Sequence, residues 1–115
     1  MKNSSNSMNL IIEKNAYFKG TINANGNIKI GGIFKGKIYS DNNVYISSTA
    51  EIIGDIEAKN VYVSGKVNGN ILANGKVHFT STSCFEGNIT ARRFVVDKGA
   101  IISGVWKNLK TSLAS

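Results

Sequence analysis

A short phrase, glycine then any residue then isoleucine, recurs through this chain and sets the terms for any fold. It reads Gly20-Thr21-Ile22, Gly36-Lys37-Ile38, Gly54-Asp55-Ile56, Gly69-Asn70-Ile71 and Gly87-Asn88-Ile89, and closes on Gly104-Val105-Trp106. The steps are 16, 18, 15, 18 and 17 residues. Other positions repeat in phase. A small residue follows each isoleucine by two: Ala24, Ser40, Ala58, Ala73 and Ala91. An apolar residue precedes each glycine by two: Phe18, Phe34, Ile52, Val67, Phe85 and Ile102. Past the small residue comes an apolar-x-apolar pair: Ile28/Ile30, Val44/Ile46, Val61/Val63, Val77/Phe79 and Phe94/Val96. Leu10, Ile12, Ala16 and Phe18 make a partial row in front.

Within each piece the period is two, which is strand periodicity. Interior glycines and β-branched residues both disfavour helix. A repeat of this length made of short strands fits a coil in which each row is one turn and stacks on the next. The expected fold is therefore all-β: a single-domain parallel β-helix of five to six triangular rows of 15–18 residues. The general handedness of parallel crossovers makes it right-handed. Strand pieces of three to five residues are expected, with a tight turn at each glycine. Asn27, Asn43 and Asn60 suit left-handed corners or a hydrogen-bonding ladder. The short rows are expected to lose three residues at one corner, at Gly32 and Gly65.

Composition is consistent with one domain. Residues 1–8 read as a polar tail, 9–106 as the β-helix, and 107–115 as a tail or partial cap. Proline is absent and there are twelve glycines, so Gly, Asn, Asp and Ser must make the turns. Cys84 is the single cysteine, which excludes an internal disulfide and fits a reducing compartment. The opening MKNSSNSMNLIIEKN holds an apolar run of three, short of the roughly 7–15 of a secretory signal, and a cytoplasmic location is expected.

Residues of chemical interest are few. His78 is the single histidine and points outward between Val77 and Phe79. A left-handed β-helix acyltransferase would use such a histidine as a base, but no carboxylate adjoins it in sequence and no strict hexapeptide runs through the chain. Cys84 also points outward, with no basic neighbour in sequence, and is expected to be inert. No phosphate-binding loop and no cluster with metal-ligand spacing occurs. The expectation is no catalytic, cofactor or metal site.

Binding surfaces are a different matter. An outward column of Tyr45, Tyr62, His78 and Val95, with Ile11 and Lys29 before it, makes a partly aromatic stripe suited to lateral pairing or a partner. Lys59, Lys76, Arg92 and Arg93 fall at one corner and could meet an anionic partner within a net charge of +7. A solvated corner is the stronger reading there, and nucleic acid is not the expected partner. The ends matter most. A parallel β-helix presents unpaired backbone groups and a cross-section of core at both ends, which templates further pairing. Leu10, Ile12 and Phe18 form the front end; Phe94, Val96, Ile102 and Trp106 form the back. Two readings fit the tail: Trp106, Leu109 and Leu113 share a helical face that could cap the back, or Gly104-Val105-Trp106 begins a sixth row with Asn108 in the alanine column. The row is favoured.

Rows such as GDIEAKNVYVSGKVNGNI and VHFTSTSCFEGNITARRFVV, and the order of motifs in VSGKVNGNI.A.GKV.FTSTS..EGNI, resemble the bactofilins over about residues 9–106. The resemblance implies a bacterial cytoskeletal protein with a β-helical core. It implies filaments or sheets formed without nucleotide, often at the inner face of the cytoplasmic membrane. It also implies a scaffold for cell-wall enzymes or other envelope proteins, with itself as first partner. Family members reach the membrane through a short apolar and basic N-terminal peptide. Here that peptide is mostly Asn and Ser, so membrane attachment stays open. A monomeric adaptor or a small acyltransferase-like enzyme is the alternative.

Overall fold

The computed structural model describes residues 10–108, and in that span the chain forms strands and no helix. The strands are β1 (Leu10–Ile12), β2 (Tyr17–Ala24), β3 (Ile28–Ile30), β4 (Ile33–Ser40), β5 (Asn43–Ile46), β6 (Glu51–Ala58), β7 (Asn60–Val63), β8 (Lys66–Phe79), β9 (Cys84–Val96) and β10 (Ile101–Asn108). Every pairing is parallel. β1, β3, β5 and β7 stack in order onto the end of β8; β2, β4 and β6 stack onto its beginning; β9 and β10 follow. This is a parallel β-solenoid of about six turns.

Register follows the sequence phase. Ile22, Ile38, Ile56, Ile71, Ile89 and Trp106 form one column, and Ala58, Ala73, Ala91 and Asn108 another. The inward columns are buried from Ile12 and Ile22 through Ile89 and Ala91. Each buried Val, Ile or Phe contributes roughly 1.5–3 kcal/mol, and because like stacks on like, one continuous core threads the rod. The one polar residue in it, Ser83, gives its Oγ–H to the Thr80 carbonyl (2.7 Å).

The glycines do something other than turn the chain. Pairing runs through them from Gly20 to Gly36 to Gly54 and from Gly69 to Gly87 to Gly104, and lapses only between these two runs, where β6 and β8 pair at Ile53–Asn68 and again at Ile56–Ile71. Each marks a bend inside a continuous strand, so the strands reach 14 residues in β8 rather than three to five. The bend needs φ between 135° and 147°, a region that L side chains rarely adopt. It also brings the rows together: a Cβ on Gly36 or Gly54 would land on the carbonyl oxygen of the glycine one row earlier.

The other two corners absorb all variation in row length. One holds two or three residues, as in Lys59-Asn60 and Asp41-Asn42-Asn43. The other holds four (Glu13–Ala16, 47–50, 80–83, 97–100) or two, Gly31-Gly32 and Ser64-Gly65. The shortening at Gly32 and Gly65 is thus two residues, and the 15-residue row loses its third at the opposite corner. The four-residue corners close with bonds such as Ala50 N to Ser47 O (2.9 Å) and Ser83 N to Thr80 O (3.0 Å). Their threonines lean over the short corners: Thr49 Oγ1 donates to Gly31 O (2.7 Å) and Thr82 Oγ1 to Ser64 O (2.6 Å).

The expected left-handed asparagines are not left-handed. Among the described non-glycine residues only Asn15 has positive φ, 74°. The ladder is real. Asn43 N donates to Asn27 Oδ1 (3.2 Å), Asn60 Nδ2 to Asn43 Oδ1 (3.0 Å), and Lys76 N to Asn60 Oδ1 (2.8 Å). These side chains serve backbone donors at the corner, so no unusual φ is needed.

Gly54→Ala should cost more than about 3 kcal/mol, combining φ strain with a backbone clash. Gly20→Ala, whose Cβ would meet nothing closer than the Phe18 ring at 3.7 Å, should cost about 1–3 kcal/mol from φ alone. Thermal unfolding followed by circular dichroism checks the order, with Gly54→Ala falling by ~10 °C or more. Ile71→Asp, which places an unpaired charge in a site 1% exposed, should leave no cooperative fold. An unchanged spectrum and melting temperature would contradict the inward assignment.

Candidate functional site

The two ends of the rod are its least satisfied surfaces. Among the described residues, β1 and β2 pair on one side only, as do β10 and the Phe94–Val96 stretch of β9. Of the front residues read from sequence, Leu10 and Phe18 are exposed, but Ile12 is already buried. Phe18 stacks on Phe34 with centroids 5.3 Å apart. At the back, Val96 and Trp106 are exposed, and Phe94 and Ile102 are half-buried. Trp106 pairs with Ile89 and Asn108 with Ala91, which makes Gly104–Asn108 a sixth row. The Trp106 ring lies across the end of the core onto Phe94, 4.7 Å between centroids and 25° from parallel. Phe94 meets Phe79 edge-on at 5.7 Å, so aromatic rings fill this end. The alternative reading, a cap through Leu109 and Leu113, lies outside the described residues.

The outward stripe is in register: Ile11, Lys29 and Tyr45, then Tyr62, His78 and Val95. Tyr45 and Tyr62 stack at 5.1 Å and 9°, and His78 sits edge-on to Tyr62 at 6.4 Å. The rings spend their faces on each other and offer edges to solvent. The basic corner resolves into two columns. Lys59 and Arg92 share one, with Gly75 between them; Lys76 and Arg93 pair in the next. Lys76 turns back so that Nζ sits 5.3 Å from the Tyr62 centroid, worth about 0.5–1 kcal/mol. Stripe and corner thus touch.

His78 does have a carboxylate partner, contrary to the sequence reading. Its Nε2 lies 3.1 Å from Asp97 Oδ1, one row on and 19 residues away. Asp97 is exposed and His78 half-buried, and the pair ties the last corner turn to the row before it. Cys84 is half-buried and lies beside Lys66 in register, a basic neighbour that linear sequence does not show. Among the described residues no group of three potential metal ligands is found, and no helix is long and apolar enough to cross a membrane.

A second polar ladder escaped the sequence reading. Asn70 donates through N and Nδ2 to Asp55 Oδ1 (3.3 and 3.2 Å), and Asn88 Nδ2 donates to Asn70 Oδ1 (3.3 Å). The signal was present: Asp55, Asn70 and Asn88 are the middle residues of successive glycine-x-isoleucine phrases.

Comparison with protein families gives one result: a family described as "Bactofilin: Polymer-forming cytoskeletal" matches residues 10–107. Neither the curated proteins nor the solved structures contain a match.

Asn60→Ala should cost about 1–3 kcal/mol, since it leaves the Lys76 N–H and the Asn43 Oδ1 without their partners at a partly buried corner. Asn88→Ala, at the exposed end of the second ladder, should stay within about 0.5 kcal/mol. Urea unfolding midpoints for the two variants check the contrast.

Proposed function

The chain belongs to the bactofilins, the polymer-forming cytoskeletal family matched over residues 10–107, and from that membership we propose that it is a scaffold whose rods join end to end without nucleotide. The observation that carries this reading is the pair of apolar end rows, which among the described residues pair on one side only. Exposed strand edges are templates for pairing, and Leu10, Phe18, Val96 and Trp106 add apolar surface beside them.

Like ends meet like ends. The row is nearly symmetric about a line from the middle of the first face to the glycine corner opposite. Leu10 and Ile12 flank Ile11, and Phe18 and Ile22 flank Gly20. A two-fold axis along that line sets the end rows of two copies antiparallel. Leu10 then faces Ile12 of the second copy, and Phe18 faces Ile22. At the back an axis through Val95 and Gly104 sets Phe94 against Val96 and Ile102 against Trp106. Every inward position meets an inward position, as a self-complementary contact requires. The resulting filament has no polarity. We place it in the cytoplasm, at the inner face of the membrane where its partners are cell-wall enzymes or other envelope proteins. The tyrosine stripe and the basic corner are the surfaces left for such partners once the ends are occupied.

Phe18→Arg should block the front and Trp106→Arg the back, each stopping at a dimer through its intact end. Sedimentation mass and electron microscopy read this directly. Ile11→Cys with Cys84→Ser should form a disulfide across the front axis, because directly opposed antiparallel residues sit about 4.5–5.5 Å apart. Normal filaments from both a front and a back variant, each folded, would overturn end-to-end assembly. Absence of the Ile11→Cys disulfide in intact filaments would overturn the two-fold register.

A further inference from the structure

The face that follows the glycine bend carries an inverted charge pattern on two neighbouring rows. Along β4 and its corner the outward residues are Lys37, Tyr39 and Asp41. One row on, along β6 and its corner, they are Asp55, Glu57 and Lys59. Register sets Lys37 beside Asp55 and Tyr39 beside Glu57. Asp41 and Lys59 lie on the same corner, where Lys59 N donates to Asn42 O (2.9 Å). Lys37, Asp41, Glu57 and Lys59 are exposed, and Tyr39 and Asp55 are half-exposed.

These neighbours do not satisfy one another. Among the described residues the one ion pair within 4.0 Å is His78–Asp97. Asp55 Oδ1 takes its hydrogen bonds from Asn70 in the row beyond, away from Lys37. Two adjacent rows of opposite pattern therefore face solvent with their charges uncombined.

We infer that this face is a lateral docking surface for a second copy of the chain, with the two rods side by side and antiparallel. The two-fold axis runs along the strands, midway between β4 and β6. Rotation about it lays β4 of one copy over β6 of the other. Lys37 then faces Asp55 of the second copy, the Tyr39 hydroxyl faces the Glu57 carboxylate, and Asp41 faces Lys59. Each contact occurs twice, because residue i meets j and j meets i. The row before brings Thr21 opposite Asn70, a further donor–acceptor match. No other shift of the two copies along the axis pairs all three charged or hydroxyl positions at once. A shift of the second copy by one row sets β6 on β6 or β4 on β4, so that Asp55 meets Asp55 or Lys37 meets Lys37; a shift by two rows sets β6 on β8, with Glu57 against Leu72, Asp55 against Asn70 and Lys37 without an anion. Such complementarity selects register and orientation more than it adds raw affinity. The three charged or hydroxyl pairs lie in β4, β6 and their corners and use neither end row, so they are independent of end-to-end joining and tie neighbouring filaments at a fixed stagger.

The test uses the full chain carrying Phe18→Arg and Trp106→Arg, which removes end-to-end growth. At low ionic strength these rods should sediment as dimers. Raising salt until the Debye length falls from ~10 Å to ~3 Å should dissociate them. Lys37→Glu or Asp55→Lys alone should each weaken the dimer by more than about tenfold. An equimolar mixture of the two variants should restore it, because each charge then meets its opposite across the axis. Asp41→Lys and Lys59→Glu, which lie at the corner outside the core rows, should behave the same way and give a second pair should a strand variant fail to fold. Rods that stay monomeric up to their solubility limit would overturn the inference, as would folded single variants that the mixture does not rescue. If the end-blocked rods still form filaments, it is end-to-end joining through Phe18 and Trp106 that fails, and the same mixing is then scored from bundle width in the microscope.

Discussion

The close stacking of glycine on glycine governs this rod. Where the strand bends, the carbonyl oxygen of one row occupies the place that a Cβ of the next row would need. A side chain at these positions would collide with the backbone of the row before. With that column fixed, the residues two before and two after each glycine are bound to point inward, and the core follows as a stack of Phe, Ile and Val over Ile. Burial supplies the free energy, but the glycine column decides which side chains receive it. A solenoid built this way stabilises each row through its two neighbours, so the rows with one neighbour among the described residues are the least supported.

The same logic separates the rod's two kinds of surface. Among the described residues the end strands pair on one side only and leave apolar area exposed, and their chemistry is that of the fold itself. The sides are satisfied in backbone and differ only in what the outward columns carry. Tyr45 and Tyr62 spend their ring faces on one another, Lys76 leans onto Tyr62, and His78 holds Asp97. The face beyond the glycine bend is left with charges that neighbours in the same chain do not neutralise.

Much of this was legible in the sequence because a solenoid turns one-dimensional periodicity directly into three-dimensional register. The columns of isoleucine, of small residues and of outward tyrosines could be written down from spacing, and Trp106 and Asn108 take the positions that phase assigned them. What spacing could not give was whatever depends on the distance between rows. The bend at glycine reads in sequence as a turn, since φ > 0 is common to both. Asn27, Asn43 and Asn60 read either as left-handed corners or as a ladder, and it is the distance between rows that decides for the ladder. His78 and Asp97, and Cys84 and Lys66, are 18 or 19 residues apart and meet only because one turn of the coil separates them. Membership in a polymer-forming family rests on the match over residues 10–107; the residues proposed for joining come from geometry.

The two corners that absorb row length divide the chain into positions that tolerate inserted residues and positions that do not. A residue added at the glycine bend shifts every later side chain to the opposite face. A residue added between Ser47 and Ala50, or between Asp97 and Ala100, lengthens a turn that already varies between two and four residues and leaves the phase of the next strand untouched. Such corners are where a lineage of these rods can acquire loops, tags or whole recognition segments by small insertions. Diversity would then accumulate along two edges of the rod while its glycine column and end rows stay the same.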